Sequence, residues 1–342
     1  KGNDTVYFDR DSGYDTVSSP SGSITLNLSS TNLKANELAY QINTSDNTFK
    51  IGYYNNDGTV DSDNAISYLN FYNYKKNKSQ TAYLVDAKSE KYRIFATKSN
   101  GKIKVANAKG DNILFALSTK DNIVTTSAYN DIVYMFGGND TITYTGGEDY
   151  YTSLAGDNTY ISQFDSDTCL TISDNLELQT EYNYVEDKFV TVEPSANDVL
   201  KINASDSSIS LFFDIDFSGD TEKTSSNTNM YILNEAVFSE TETYQNIIAK
   251  GDVSGLITIS DYFKSGEKIS SNDYTGNGCI ETIMTQSGKD YVKYGTAERI
   301  DEICSAVQSW YEDYGSEYTS VYDAISDTSN EHVSDLILAY VS

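Results

Sequence analysis

Carboxylate and carboxamide side chains recur at a fixed interval between residues 119 and 163. Stacked in units of nine, this stretch reads TKDNIVTTS, AYNDIVYMF, GGNDTITYT, GGEDYYTSL and AGDNTYISQ. One column, the inner column, consists of Asn122, Asp131, Asp140, Asp149 and Asn158. The column before it, the outer column, consists of Asp121, Asn130, Asn139, Glu148 and Asp157. Oxygen ligands suit a hard cation, and an irregular cage of roughly six to eight oxygens favours calcium over magnesium.

A repeating strand and turn must position these oxygens. Two residues after the inner column, each unit has an apolar or aromatic residue: Val124, Val133, Ile142, Tyr151 and Tyr160. We predict that this residue points inward from a short strand and that Gly, Asn and Asp form the turn, since they tolerate left-handed backbone angles. A nine-residue unit cannot bury its own core, so the units must stack on one another.

With two units per coil, every second unit lies on the same side of the stack, about 4.8 Å above its predecessor. Asp131 and Asp149 then form one row, and Asn122, Asp140 and Asn158 form the other. Carboxylates about 4 Å apart repel by roughly 1 kcal/mol even at the dielectric constant of water. A cation between coils would remove this repulsion. The alternative is an ion-free solenoid, in which the Asn and Asp side chains only hydrogen-bond their turns.

The five units resemble the RTX calcium-binding nonapeptide, GGxGxDxUx, whose fold is a parallel β-roll. Matching the Asp column places the inner glycine of that motif on Gly138, Gly147 and Gly156. The opening glycine pair is absent from every unit, and Tyr129 and Lys120 replace the inner glycine in the earlier units. These departures leave the fold assignment intact. Full calcium occupancy does not follow, because glycine at these positions is what lets turn carbonyl groups reach the ion, and here it is missing.

The N-terminal segment resembles the same family. Residues 2–7 read GNDTVY, the second half of one unit, with Asp4 in the inner column. Asp15 follows in a segment similar to the one that closes an RTX β-roll. Because the sequence opens within a repeat, we expect a piece of a larger protein with more repeats upstream. The metal ligands that the resemblance implies are Asp4, Asp15, Asn122, Asp131, Gly138, Asp140, Gly147, Asp149, Gly156 and Asn158.

The composition limits the classes of partner. The chain of 342 residues has 24 Lys and Arg against 51 Asp and Glu, which gives a net charge of −27. This charge argues against nucleic acid or an anionic membrane surface as a simple electrostatic partner. It also predicts an expanded chain where divalent cations are scarce. The three cysteines match neither a disulfide framework nor a zinc site, and no stretch approaches the roughly 18 apolar residues of a transmembrane helix.

The regions around the repeat predict a mainly β fold: a degenerate parallel β-roll or β-solenoid with flanking β-rich domains and a C-terminal helical segment. We divide the chain into the end of an upstream repeat block (1–21), a β-rich interrupting or capping domain (22–100), the nonapeptide β-roll (101–165), a β-rich post-repeat domain (166–294) and a helical segment (295–342). Residues 255–264, GLITISDYFK, with the following IETI, resemble the segment after the roll in haemolysin-type toxins and adhesins.

The last fifty residues change to helical periodicity. Ile300, Ile303, Cys304, Val307 and Trp310 recur at helical spacing, and Gly315 is expected to end that helix. Two further helices are expected, from Thr319 to Ile325 and from about Asn330. The segment resembles RTX C-termini, which are uncleaved signals for type I secretion. It could equally cap the last open edge of the solenoid, and the two roles are compatible.

We find no enzyme signature, since His332 is the only histidine and no nucleophile, zinc or nucleotide motif is present. A glycosidase or lyase that uses carboxylates alone is the enzymatic alternative. The resemblance implies the calcium-binding C-terminal folding and export region of a type I-secreted bacterial adhesin or toxin, located outside the cell or on its surface. The implied partners are calcium ions, the secretion machinery and a host or cell-surface ligand. The alternative function is a self-associating surface-layer (S-layer) or filament subunit.

Overall fold

The structure is a computed structural model, and it describes most of the chain. The described residues are 2–10, 13–18, 22–43, 48–54, 60–69, 81–96, 101–104, 112–117, 120–174, 179–183, 188–192, 197–205, 208–213, 229–234, 254–260, 262, 280, 282–294, 296–327 and 329–341. Of the segment 255–264 and the IETI that follows it, residues 261, 263, 264 and 281 lie outside the described residues.

The fold is mainly β, as predicted. The strands are β1 (Gly2–Tyr7), β2 (Tyr14–Ser18), β3 (Gly22–Asn27), β4 (Ala39–Asn43), β5 (Thr48–Tyr54), β6 (Val60–Leu69), β7 (Thr81–Val85), β8 (Lys91–Ala96), β9 (Gly101–Lys104), β10 (Asn112–Leu117), β11 (Asn122–Thr125), β12 (Ile132–Met135), β13 (Thr141–Thr143), β14 (Glu148–Ser153), β15 (Thr159–Ser162), β16 (Cys169–Asp174), β17 (Gln179–Asn183), β18 (Lys188–Val192), β19 (Val199–Ile202), β20 (Ile209–Phe212), β21 (Met230–Asn234), β22 (Leu256–Ser260), β23 (Thr282–Ser287) and β24 (Asp290–Lys293). A 3₁₀ turn (Ala35–Glu37) precedes β4. The helices are α1 (Thr296–Trp310), which continues as a π-helical turn (Tyr311–Gly315), α2 (Val321–Ser326) and α3 (Val333–Val341).

Two large sheets contain the repeats. Sheet I has eleven strands in the order β1-β3-β7-β8-β10-β12-β14-β16-β22-β21-β20. Sheet II has seven strands in the order β24-β23-β19-β15-β13-β11-β9. Four strands in the order β2-β6-β5-β4 form sheet III, and β17 and β18 form a hairpin. Consecutive repeat strands thus alternate between sheets I and II.

The predicted pairing of every second unit is present. Val124 pairs with Ile142 and Ile142 with Tyr160 in sheet II, and Val133 pairs with Tyr151 in sheet I, all in parallel register. Each of these pairs is separated by two nine-residue units. The pairing continues beyond the repeats, since Tyr160 pairs with Leu200 and that strand pairs with β23. Strand pairing therefore crosses the expected boundary at residue 165, and the division into domains stays a prediction.

The inward column forms the centre of the main core. All five of its members, from Val124 to Tyr160, are at most 1% exposed. They join buried residues of both sheets in one hydrophobic cluster. The alternation of inward and outward residues explains the arrangement, because successive side chains of a strand point to opposite faces.

A second core covers the other face of sheet I. Tyr40, Phe49 and Ile51 from sheet III are buried in one cluster with Leu114 and Tyr134 from sheet I. The rings of Tyr40 and Tyr134 meet edge to face, with their centroids 5.6 Å apart. Sheet I is therefore buried on both faces where sheet III lies against it.

The predicted C-terminal helices pack on the end of sheet I. Tyr340 of α3 donates a hydrogen bond of 2.8 Å from its hydroxyl to the carbonyl oxygen of Phe213, and its ring lies 4.7 Å from that of Phe212. Cys304 and Val307 of α1 are buried in the same cluster as the two sheets. The helices therefore cover β20, the last strand of sheet I. Among the described residues, none of the helices is long and apolar enough to cross a membrane.

Candidate metal site in the stacked turns

The inner-column residues Asn122, Asp140 and Asn158 form a ladder of hydrogen bonds along sheet II, which we call row 2. The backbone amide of Asn122 donates to Oδ1 of Asp140 at 2.7 Å, and that of Asp140 donates to Oδ1 of Asn158 at 3.1 Å. The amide of Asn158 in turn donates to Oδ1 of Asp198 at 2.6 Å. Each side chain thus reaches back to the coil before it and satisfies an amide that would otherwise be buried without an acceptor.

The other half of the column forms row 1 along sheet I. The amide of Ile113 donates to Oδ1 of Asp131 at 2.7 Å, and the amide of Asp131 donates to Oδ1 of Asp149 at 2.8 Å. Asp131 and Asp149 are fully buried. The structure therefore brings together the inner-column residues in the two expected rows.

Asp198 also belongs to row 2, although it lies outside the regular nine-residue spacing and was not among the predicted ligands. It lies 40 residues after Asn158 rather than 18, because the chain forms the separate β17–β18 hairpin between β16, which is still a strand of sheet I, and β19. A signal was present: Asn197 and Asp198 repeat the Asn-Asp pair of the regular units, and Leu200 follows at the inward position.

The outer column forms a second ladder that runs in the opposite direction. The amide of Asn139 donates to Oδ1 of Asp121 at 2.9 Å, and the amide of Asp157 donates to Oδ1 of Asn139 at 3.0 Å. On the other side, the amide of Glu148 donates to Oδ1 of Asn130 at 3.0 Å. In these turns, the inner-column side chain therefore accepts a hydrogen bond from the coil before it, and the outer-column side chain accepts one from the coil after it.

Glycine is required where these turns stack. Gly138 and Gly147 have a φ of 88°, and Gly156 has a φ of 104°. A Cβ atom on Gly156 would lie 1.9 Å from the carbonyl oxygen of Gly138, and one on Gly147 would lie 2.3 Å from that of Tyr129. The inner glycines predicted from the repeat thus allow direct backbone contact between coils.

Along most of the two ladders, carboxamide side chains (Asn) alternate with carboxylate side chains (Asp or Glu). The neighbouring pairs that combine one amide with one carboxylate are Asn122–Asp140, Asp140–Asn158, Asn158–Asp198, Asp121–Asn139, Asn139–Asp157 and Asn130–Glu148. Asp131–Asp149 in row 1 instead joins two carboxylates. This alternation halves the charge density in row 2 and removes part of the repulsion expected from the sequence.

Burial nevertheless disfavours the charged form of these carboxylates. Desolvation raises the pKa of Asp131 to about 6 and that of Asp140 to about 7. Burial, followed by the charge of Asp131, raises the pKa of Asp149 well above its ordinary value. A proton or a cation would stabilise all three side chains.

The second carboxylate oxygens distinguish the two rows. Oδ2 of Asp131 accepts from the amide of Ser127 at 2.5 Å, and Oδ2 of Asp149 accepts from the hydroxyl of Tyr151 at 2.9 Å. Oδ2 of Asp140 is buried, and no described residue donates a hydrogen bond to it. This acceptor fits a hard cation.

Side chains alone do not complete a calcium cage. Within the described part of the chain, no three His, Cys, Asp or Glu side chains are grouped closely enough to hold one metal ion. The remaining ligands at Asp140 would have to be carboxamide and turn carbonyl oxygens, which are ordinary calcium ligands. The available oxygen ligands therefore fit calcium, and carbonyl groups would complete its coordination number.

Asp4 and Asp15 lie apart from the two rows. Asp4 is exposed on β1 and pairs with Ile24, and Asp15 is half-buried on β2 and pairs with Ile66. The structure does not bring either residue to the stacked turns of the repeat. Their role as ligands stays a prediction.

Comparison with known proteins provides no further assignment. No family model, no curated protein and no solved structure matches this chain.

Proposed function

We propose that residues 101–165 form a calcium-binding β-roll of the RTX type, within the C-terminal folding and export region of a type I-secreted bacterial adhesin or toxin. The observation that carries this proposal is Asp140, a buried carboxylate whose Oδ2 receives no hydrogen bond from the described residues. The parallel register between every second unit supports the roll.

Calcium would act by coupling binding to folding. Asp140 would hold the ion in row 2 with carbonyl oxygens of adjacent turns, and the Asp131–Asp149 pair of row 1 is the second place where positive charge is needed. The bound ion supplies positive charge that neutralises these carboxylates. Because the unfolded chain has no such site, the binding free energy adds to the stability of the fold.

The same coupling suits export. At a net charge of −27, the chain repels itself and stays expanded where calcium is scarce, as in the cytoplasm. Calcium outside the cell would then close the stack. We place the export signal in residues 295–342, whose helices would also cap sheet I after folding. Deletion of these residues is expected to stop secretion from cells that contain a type I exporter, and normal secretion without them would refute this assignment.

Isothermal titration calorimetry with calcium chloride tests the metal site. The chelator-treated wild type should bind calcium, and Asp140→Asn should lower the affinity at least tenfold or remove one binding equivalent. Asn keeps the Oδ1 acceptor for Asn122, so the ladder is retained. Asp290→Asn, an isosteric change at an exposed position of β24, is the control and should bind like the wild type. Absence of binding by the wild type at millimolar calcium would refute the proposal.

A further inference from the structure

The register of sheet I extends row 1 beyond its two carboxylates, towards β8. Asp131 directly precedes β12 and is aligned with Ile113 of β10, whose backbone amide donates to its Oδ1. Ile113 is aligned in turn with Arg93 of β8. Adjacent strands lie about 4.8 Å apart, so the backbones of Arg93 and Asp131 are roughly 10 Å apart, a distance that a long side chain can span. Row 1 thus consists, along the sheet, of Arg93, Ile113, Asp131 and Asp149.

The half-buried side chain of Arg93 lies on the inner face of sheet I. Tyr92 and Ile94 belong to the core shared with sheet III, whereas Phe95 packs against the main core and its ring lies 5.9 Å from that of Phe115. Because successive residues of a strand alternate between the two faces, Arg93 points to the same side as Phe95. The Nε atom of Arg93 is buried, and no described residue accepts a hydrogen bond from it. A cation in this position needs negative charge nearby.

Asp131 supplies that negative charge, and the interaction acts in both directions. Burial raises the pKa of Asp131 to about 6, and hydrogen bonds from Ser127 and Ile113 and the positive charge of Arg93 oppose this increase. Asp149 lies one strand further from Arg93, and burial, followed by the charge of Asp131, raises its pKa well above the ordinary value. Arg93 therefore stabilises the charged form of the carboxylate at its own end of row 1.

Row 2 has no comparable cation at its start among the described residues. The amide of Asn122 donates to Oδ1 of Asp140, and Asn122 is aligned with Gly101 of β9. Gly101 thus has the place in sheet II that Arg93 has in sheet I, two strands before the first carboxylate, and glycine has no side chain. Burial and the negative charge of Asp121 raise the pKa of Asp140 to about 7, and hydrogen bonds from Asn122 act in the opposite direction. The two rows therefore differ in the charge that the chain itself provides.

We propose that Arg93 is the resident cation of row 1, a side chain that neutralises Asp131 in the way that a bound ion neutralises Asp140 in row 2. An arginine stays charged throughout the physiological pH range and at any calcium concentration. Calcium is then needed only where no side chain supplies positive charge, at Asp140 in row 2 and at Asp149 in row 1. The comparison with row 2 rests on the calcium site proposed above, whereas the electrostatic coupling of Arg93 to Asp131 does not.

A double-mutant cycle separates the charge of Arg93 from its packing. Arg93→Gln removes the positive charge but keeps a long polar side chain, and Asp131→Asn removes the negative charge but keeps the Oδ1 acceptor for Ile113. The wild type, the two single variants and the double variant are unfolded with urea at the lowest free calcium concentration at which the wild type is folded. If the wild type folds in chelator, that concentration is zero.

We expect Arg93→Gln to lower the urea midpoint, because it leaves Asp131 buried without its cation. Asp131→Asn should lower the midpoint less in the Arg93→Gln background than in the wild-type background, where it leaves Arg93 without its carboxylate. Asp140→Asn is the matched control and should have the same effect in both backgrounds, since Asp140 lies in the other row. Lys289→Gln removes the same charge from an exposed position and should unfold like the wild type.

Equal effects of Asp131→Asn in the two backgrounds would overturn the inference, because Arg93 would then act through packing alone. The same difference between backgrounds for Asp140→Asn would also overturn it, since the effect of Arg93 would then be one of net charge. If Arg93→Gln does not fold at this calcium concentration, the four proteins are compared by the calcium concentration at half-folding. Coupling between Arg93 and Asp131 in a protein that does not respond to calcium would refute the calcium proposal and support this one.

Discussion

The backbone amide of Asn158 donates a hydrogen bond of 2.6 Å to Oδ1 of Asp198, a residue 40 positions later in the chain. Both side chains are fully buried. Row 2 therefore extends beyond the last regular repeat. The ladder of Asn and Asp side chains thus continues further along the chain than the nine-residue spacing does.

Substitutions at Asp198 test this extension of the ladder. Asp198→Ala should lower the free energy of unfolding by about 1–3 kcal/mol, because the buried amide of Asn158 loses its acceptor. Asp198→Asn retains a carboxamide oxygen and should be closer to the wild type. Urea denaturation with calcium in excess measures the difference. Equal stabilities of the two variants would show that the hydrogen bond contributes nothing.

Gly156 tests the backbone contact between coils. Gly156→Ala combines a positive φ of 104° with a Cβ position 1.9 Å from the Gly138 carbonyl oxygen. Gly288 is the control, since it has a φ of 66° and no atom within 4 Å of its Cβ position. We expect about 1–2 kcal/mol of destabilisation for Gly288→Ala, and at least about 1–3 kcal/mol more for Gly156→Ala because the coils must move apart. Thermal unfolding compares the two, and an equal loss would contradict close stacking.

Tyr340 tests the packing of the helical segment on sheet I. Tyr340→Ala should cost about 3–5 kcal/mol of stability, as for other buried aromatic residues. Tyr340→Phe removes only the hydrogen bond to Phe213 and should cost about 0.5–1.5 kcal/mol. Tyr322 is 45% exposed, so Tyr322→Ala is the control and should change stability by less than about 0.5 kcal/mol. A loss for Tyr340→Ala no larger than this control would show that the helices do not share the core.

The buried carboxylates also determine how stability depends on pH in chelator. The folded-state pKa is about 7 for Asp140, against an ordinary value of 3.8, so the folded state binds more protons than the unfolded chain between these limits. The stability contributed by this group is present at low pH and is lost as the pH rises towards 7. The largest slope is about 1.4 kcal/mol per pH unit.

Asp140→Asn should make this pH dependence shallower, because Asn does not titrate. Denaturation of both proteins in chelator between pH 5 and pH 8 measures the difference. Identical slopes would show that Asp140 is ionised throughout this range in the folded protein.

The sequence predicted the features that depend on local spacing. The nine-residue period led to the inward Val, Ile and Tyr column, the two rows of oxygens and the pairing of every second unit, because each follows from the geometry of a short repeat. The helices around Val307 and Leu336 were likewise predicted from apolar spacing, and α2 begins at Val321 after the Ser320 cap, two residues after the expected start at Thr319.

The features that depend on distant parts of the chain could not be predicted in this way. Asp198 joins row 2 only because the chain returns to the stack after a long excursion, and no local spacing specifies where it returns. The opposite direction of the outer ladder could not be predicted either, because the inner and outer columns have similar residue types and the sequence does not indicate which neighbouring coil each side chain contacts. The packing of sheet III on Tyr134 depends on tertiary contacts, since the alternation in β12 shows an outward residue but not what covers it.

Circular dichroism of the purified chain, treated with chelator and then titrated with calcium, tests the central claim most directly. We expect a cooperative gain of β signal as calcium approaches extracellular concentrations, and a smaller gain for Asp140→Asn. A β-rich spectrum that is the same in chelator and in calcium would contradict ion-coupled folding. The hydrogen-bonded Asn and Asp ladders would then hold the coils together without an ion.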